Sequence, residues 1–161
     1  MQQHLMSDGK TSASSRRYLA LWLPYLPVER HLSLKPAEAG PFALIEKSQS
    51  AMRLVALNAE AQAQDLQRGM TVTQARARVP ELAVAPADPV ADAKLLTHLA
   101  EACERFTPLV ALDGADGLLL DVTGCAHLFG GEMTLHAHLC RHMQRTLPHC
   151  DSTQIQPSSA M

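Results

Sequence analysis

Residues 109–122 read LVALDGADGLLLDV, and this stretch decides the fold. Two apolar runs, 109–112 and 118–122, flank the sequence DGADG, and aspartate and glycine in that arrangement are typical of a hairpin turn. We therefore predict two antiparallel strands joined by a tight turn. An antiparallel hairpin in a chain whose other short apolar runs are separated by helical patterns indicates an α+β domain.

Helix start and stop signals lie upstream of this hairpin. Asn58 is a predicted N-cap of a helix that runs to residue 68, where Gly69 has the position of a C-cap glycine. Thr71 and Gln74 have the spacing of a capping box, and Asp88 precedes a proline as a second N-cap. Strands are predicted at 18–23, 42–46, 53–57 and 82–85, and a further helix at 132–146.

Composition limits the classes of protein to which the chain can belong. Of its 161 residues 47% are hydrophobic but only 4% are aromatic, which predicts an aliphatic core. The net charge of −2 argues against a free-standing DNA-binding protein, which usually carries a basic surface. Four cysteines without a C-x-x-C pair, and no long apolar run, predict a reduced cytoplasmic protein that does not bind membranes.

Four segments, in this order, resemble the N-terminal half of Y-family (translesion) DNA polymerases. They are LALWLPYLPVE at 19–29, the stretch 55–70, the stretch 75–86, and FTPLV at 106–110 followed by DVTG at 121–124. The last pair is the most specific, because in that family it brackets the active-site hairpin. Residues 120–131, LDVTGCAHLFGG, look especially similar to the ImuB branch.

The resemblance implies an α+β fold with two parts. A ferredoxin-like palm, with an antiparallel sheet and helices on one face, would comprise residues 18–35 and 84–147. A small helical fingers lobe would comprise residues 36–83. Residues 1–17 are expected to be a disordered tail, and residues 148–161 an irregular one.

The same resemblance implies a damaged catalytic centre. Active members hold two magnesium ions with three carboxylates, whose positions match Ala20, Asp116 and Gly117 here, so one acid of three remains. We expect Asp121 to lie on the opposite face of the strand and not to replace a lost acid. Asp113 could approach Asp116 across the turn, but turn aspartates more often bind local backbone. No cofactor is therefore expected, and magnesium is implied only for an active polymerase.

The triphosphate contacts are also replaced. The tyrosine and arginine that hold the triphosphate in active members match Ala59 and Gln62. Tyr25 matches the aromatic residue that excludes ribonucleotides, although the interpretation we favour for it is an ordinary core tyrosine.

Other polar residues leave alternatives open. Three arginines of the fingers lobe could contact a DNA backbone or be solvated helix charges: Arg68, Arg76 and Arg78. His138, Cys140 and His142 have a spacing that could bind zinc, but half-buried or surface histidines are the expected outcome and no metal site is predicted. Arg141 and Arg145 are interpreted as an ordinary exposed pair one turn apart.

By resemblance, the chain is expected to be a non-catalytic adaptor in damage-induced translesion synthesis. Its implied partners are a sliding clamp, an error-prone replicative-type polymerase, a RecA-like protein and, indirectly, damaged DNA. The family's regions for these partners lie beyond the polymerase core, so a truncated or frameshifted product that binds DNA weakly or not at all is expected. The alternatives are an active Y-family polymerase that uses Asp116 and Asp113, and a small α+β interaction domain without DNA function.

Overall fold

The computed structural model describes residues 16–35 and 40–147, and the backbone of residues 154–159. The strands are β1 (Arg17–Trp22), β2 (Phe42–Ser48), β3 (Ala51–Leu57), β4 (Ala83–Pro86), β5 (Val110–Asp113), β6 (Gly117–Asp121) and β7 (Gln154–Ser159). The helices are α1 (Leu26–Leu34), α2 (Ala59–Ala63), α3 (Val72–Arg78), α4 (Pro89–Cys103) and α5 (Glu132–Thr146), with a 3₁₀ turn at Ala126–Phe129. Across the described ranges, every helix is too short or too polar to cross a bilayer.

The palm sheet has the strand order β5-β6-β1-β7, and all its neighbours are antiparallel. If α1 and the fingers segment are set aside, the chain passes through β1, α4, β5, β6, α5 and β7. This βαββαβ order with β1 and β6 at the centre is the ferredoxin-like arrangement. The predicted α+β fold and its central hairpin are confirmed.

Both palm helices cover the same face of this sheet. Leu19 and Leu21 of β1 pack with Leu118 and Leu120 of β6 in one buried cluster. Helices α4 and α5 contribute Leu96, Leu99, Cys103, Leu135, Leu139 and Met143 to that cluster. Because side chains alternate along a strand, Tyr18, Ala20 and Trp22 lie on the other face, which we call the open face.

The fingers lobe has a sheet of its own, ordered β3-β2-β4, so it is not purely helical. β2 is antiparallel to β3 and parallel to β4. Helices α2 and α3 pack on one side of this sheet, where Leu54, Ala61 and Ala75 are buried. Val28 of α1 packs on the other side, in a cluster with Phe42 and Leu44. Helix α1 therefore lies between the palm and the fingers.

Most of the predicted helix signals are observed. Thr71 and Gln74 form a complete capping box, and Asp88 accepts a hydrogen bond from Ala91 N at the start of α4. Helix α5 has the predicted bounds. Capping residues can be recognised in a sequence because their side chains accept hydrogen bonds from main-chain N–H groups that the first turn of a helix leaves unpaired.

The helix after Asn58 is shorter than predicted. It ends at Ala63, and Asp65 then takes a left-handed conformation with φ of 59°. Gly69, with φ of 88°, is not a helix cap but part of the turn that leads into the bridge between Arg53 and Thr71. Asp65 and Gly69 both have the positive φ that ends a helix. The helix ends just before Asp65, the first of them, although aspartate adopts this conformation less often than glycine.

The two predicted tails lie partly outside the described residues. Residues 1–15 cannot be compared, and Arg17 already belongs to β1. The irregular tail predicted at 148–161 is wrong for residues 154–159, which form β7 along the free edge of β1. The sequence QIQPSS lacks an apolar alternation, but the topology leaves β1 with an edge that a fourth strand can pair.

Candidate functional site

The positions predicted to match the family's catalytic carboxylates lie at the open face of the palm. Ala20 lies opposite Leu119, and Trp22 lies opposite Gly117, in the central antiparallel pair of β1 and β6. Ala111 of β5 is in register with Leu119 on its other side. Within β5, β6 and β1, the middle row of the open face therefore consists of three apolar residues.

Asp116, the one acid predicted to remain of the three, forms hydrogen bonds within the chain. Its carboxylate Oδ2 accepts a hydrogen bond of 3.2 Å from the indole Nε1 of Trp22. Its main-chain oxygen accepts a bond of 2.7 Å from Leu23 N. Trp22 remains 47% exposed, so the indole covers the carboxylate at the surface of the sheet without being part of the core. No sequence pattern indicated this contact, which joins residues far apart in the chain.

Gly117 is required by the hairpin itself. It pairs with Asp113, and a Cβ placed on it would lie 2.5 Å from the main-chain oxygen of Asp113. Such a distance is a hard steric overlap, so a side chain here requires the hairpin backbone to move. The close approach of the hairpin strands therefore excludes an acidic side chain, or any other, at Gly117.

Asp121 lies on the open face, so the expectation that it faces the other way is wrong. Leu118 and Leu120 of β6 face the core under the helices, and Asp121 alternates with them beside Tyr18. It is nevertheless distant, because five strand residues separate it from Asp116 by roughly 16 Å. Hydrogen bonds from Thr123 lower the pKa of the Asp121 carboxyl, and one of them comes from Thr123 N at 3.0 Å.

These residues do not fit a pair of magnesium ions. Magnesium requires hard oxygen ligands, and Ala20 and Gly117 offer none from their side chains. In the part of the chain that the structure describes, no three His, Cys, Asp or Glu side chains are grouped so as to hold a metal ion.

Tyr25 is a contact between the palm and the fingers, and not a core residue. It is half-buried at the start of α1, and its hydroxyl donates a hydrogen bond of 2.9 Å to Gln62 Oε1 on α2. Ala59 and Gln62 are both exposed on this short helix. The positions predicted to match the family's sugar and triphosphate contacts are thus joined by a neutral hydrogen bond.

The helix that carries these positions is fixed by Asn58. Its Oδ1 accepts hydrogen bonds from Ala61 N at 2.9 Å and from Phe42 N at 3.0 Å. Its Nδ2 donates to the main-chain oxygen of Gly40 at 2.8 Å. One side chain therefore connects the start of α2 with the start of β2.

The three fingers arginines do not form one patch. All are exposed, but Arg76 and Arg78 are two residues apart on α3 and project roughly 200° apart around the helix. Arg78 donates to the main-chain oxygen of Asp65 at 3.2 Å. Their contact with DNA stays a prediction.

The histidines of α5 do not converge on a metal position. His138 and His142 contact phenylalanine rings, with ring centroids 6.1 Å from Phe129 and 5.7 Å from Phe106 respectively. Cys140 lies beside His136 instead, with Sγ 3.8 Å from Nδ1. His149 and Cys150, a further histidine and cysteine that follow the helix in sequence, lie outside the described residues.

Comparisons with known proteins identify the family of the chain. Residues 25–155 match the model of the impB/mucB/samB family. Protein ImuB from two strains of Caulobacter vibrioides is 46% identical over 77 residues, which are 48% of this chain. Those residues are only 17% of the length of each relative.

Solved structures show the same fold. The insertion ternary complex of Dbh DNA polymerase superposes with a TM-score of 0.70 at 15% identity, over 89% of this chain and 42% of that chain. DinB from Sulfolobus solfataricus superposes with a TM-score of 0.69 at 14% identity, over 89% and 42% of the two chains. The palm and fingers arrangement is therefore that of Y-family polymerases, of which the chain spans less than half.

Proposed function

Because the chain belongs to the impB/mucB/samB family, we propose that it acts in DNA-damage tolerance as a Y-family polymerase-like adaptor without polymerase activity. The observation that carries this proposal is the open face of the palm. Ala20 and Gly117 occupy two of the three carboxylate positions, and Trp22 hydrogen-bonds the third, Asp116. Phosphoryl transfer depends on cations that neutralise the charge moving between the phosphates, and one engaged carboxylate is a poor site for them.

The fingers support the same proposal. Active members need a cation near the triphosphate, and Gln62 accepts a hydrogen bond from Tyr25 in its place. Both halves of the nucleotide site are therefore altered in the same direction, while the hairpin, the caps and the two sheets are kept. A protein that keeps the fold but lacks the charged groups suits a binding role. Binding depends on the shape of the surface, whereas catalysis depends on the charged groups.

The proposed partners follow from the family resemblance. They are a sliding clamp, an error-prone replicative-type polymerase and a RecA-like protein, and through them damaged DNA. The regions that bind these partners in the family lie outside the palm and fingers. We therefore assign the palm and fingers of this chain the role of a scaffold within such a complex.

Primer extension tests the absence of catalysis. The complete product of the reading frame is incubated with a primed template, all four nucleotides and Mg²⁺ or Mn²⁺, beside an active Y-family polymerase. We expect no extension above the level of a reaction without protein. Metal-dependent incorporation that disappears in Asp116→Ala would overturn the proposal in favour of an active polymerase.

Co-purification tests the adaptor role separately. The tagged full-length product is recovered from cells treated with a DNA-damaging agent, and bound proteins are identified by mass spectrometry. We expect a clamp, a replicative-type polymerase or a RecA-like protein to be enriched over a tag-only control. If all three are absent although extension is also absent, the chain is an interaction domain without a role in DNA-damage tolerance.

A further inference from the structure

A cationic cavity lies in the helical layer of the palm, between the end of α4 and the outer side of α5. Its volume is about 250 Å³, and we call it the α5 cavity. The helices cover the face of the sheet opposite Ala20, so this cavity is on the other side of the palm from the catalytic positions. It is lined by Arg105, Phe106, Phe129, His138, Arg141, His142 and Arg145.

The positive charge of this cavity is not compensated. No carboxylate lines it, and among the described residues none of its three arginines forms an ion pair. By contrast, Arg17 and Arg30 each pair with an acid elsewhere in the palm. The net charge of −2 for the whole chain therefore conceals a local concentration of cations that attracts anions.

The histidine at the base of the cavity has an unused nitrogen. His142 Nε2 is buried and has no hydrogen-bond partner within the described part of the chain. A buried polar atom without a partner costs free energy, and such atoms often mark the position of a ligand or a water molecule.

Aromatic rings form the remaining wall. The half-buried ring of Phe129 lies between Phe106, with centroids 5.7 Å apart, and His138. The guanidinium carbon of Arg105 is 5.9 Å from the centre of the Phe106 ring. Arginine forks match the geometry of phosphate oxygens, and a nearby aromatic ring can stack on a base. Proteins that bind single strands without sequence preference combine these two features.

We propose that the α5 cavity binds a single-stranded nucleic acid, with its arginines on consecutive phosphates and Phe129 against a base. Arg141 and Arg145 are one turn apart, with roughly 6 Å of rise between them, so they lie in line along the helix. Arg105 faces them from the end of α4. This proposal does not depend on the adaptor role, because it uses residues on the side of the palm opposite the catalytic positions.

Fluorescence anisotropy with a labelled oligodeoxythymidylate of about twelve nucleotides tests the site on the 161-residue chain at low salt. The test variant is Arg141→Gln with Arg145→Gln, and the control is Lys47→Gln with Lys94→Gln, two exposed lysines whose loss changes the net charge equally. We expect the test variant to raise the Kd about tenfold or more and the control to change it less than twofold. The slope of log Kd against log salt should fall by about 1.4, since each phosphate contact on a single strand contributes about 0.7.

A second variant separates stacking from charge. Phe129→Leu should raise the Kd several-fold and leave the salt slope unchanged, because a ring releases no counterions. Circular dichroism and thermal melting must show that each variant is folded. Arg105→Gln, which lies outside any helix, replaces the double variant if that variant is unfolded.

Competition identifies the ligand class. Thymidine 5′-monophosphate should displace the labelled strand at lower concentration than inorganic phosphate, and an oligoglutamate of equal charge should displace it least. The proposal is overturned if the arginine variant binds the strand like the unaltered chain. Displacement by oligoglutamate below the concentration of the nucleotide would also overturn it and assign the cavity to an acidic protein segment.

Discussion

Gly117 limits what a substitution can restore at the open face of the palm. Gly117→Glu places a Cβ that would lie 2.5 Å from Asp113 O. We expect it to lower the free energy of unfolding by about 1–3 kcal/mol, as overpacking does elsewhere. Ala20→Asp, on the same face and already carrying a Cβ, is the matched control and should cost less. Urea denaturation of the two variants measures the difference.

The combined variant extends this test to activity. Ala20→Asp with Gly117→Glu gives three carboxylates together with Asp116. The hairpin backbone must nevertheless move to make room for the glutamate side chain at position 117. We expect no primer extension from it. Extension by the double variant together with unaltered stability would show that the hairpin tolerates the side chain.

The stability of the folded protein is expected to depend on pH through His142. Burial, followed by the charges of Arg105 and Arg145, lowers the pKa of His142 below its ordinary value of 6.5. As the pH falls through 6.5, the unfolded chain therefore takes up a proton more readily than the folded chain, and the folded state loses stability. Denaturation midpoints at pH 7.5 and 5.5 in phosphate-free buffer should differ less for His142→Gln than for the unaltered chain. Equal differences would contradict this assignment.

Contacts between individual side chains were the features that the sequence predicted least well. The sequence predicts which family positions Ala20, Asp116 and Gln62 match, because the motifs fix the alignment. The bonds that engage Asp116 and Gln62 could not, since Trp22 and Tyr25 reach them through the tertiary fold. The same limit applies to Arg141 and Arg145, which become part of a cavity only when Arg105 packs beside α5.

At the scale of elements, one side chain positions the helix that carries Ala59 and Gln62. Asn58 makes three hydrogen bonds, and only one of them is the N-cap bond itself. We expect Asn58→Ala to cost about 2 kcal/mol, the upper end for an N-cap, whereas Thr71→Ala at the start of α3 should cost about 1 kcal/mol. Chemical denaturation measures both values. Hydrogen exchange at the amides of Phe42 and Ala61 should accelerate only in the Asn58 variant, and unchanged protection would contradict this role.

Elements with local signals were predicted well, and those defined by distant partners were not. The capping box at Thr71 and the hairpin turn at 113–117 are determined by neighbours in sequence. Strand β7 has no such signal, because its pairing with β1 comes from the topology of the whole sheet. The separate sheet of the fingers was missed for the same reason, although each of its strands was predicted.

At the scale of the whole molecule, a buried ion pair joins α1 to α4. Arg30 and Asp92 keep only 15% and 12% of their side chains exposed, whereas Arg17 and Glu132 keep 42% and 41%. We expect Asp92→Ala to cost about 3 kcal/mol, because it leaves a largely buried guanidinium without its partner. Glu132→Ala should cost less than about 1 kcal/mol, as for exposed pairs.

A double-mutant cycle checks this difference. The coupling energy between Arg30 and Asp92 should exceed that between Arg17 and Glu132 when both cycles are measured by urea denaturation. Equal coupling energies in the two cycles would mean that burial does not strengthen the contact between α1 and α4.

The pairing of β7 with β1 sets the order in which a nascent chain can assemble. The fingers sheet uses residues 42–86 only, so it can close on the ribosome soon after those residues emerge. The palm begins with β1 but keeps that strand's outer edge unpaired until residues 154–159 are synthesised. During that interval the growing polypeptide presents a bare strand edge, and this is the stage of its synthesis at which a chaperone would protect it most.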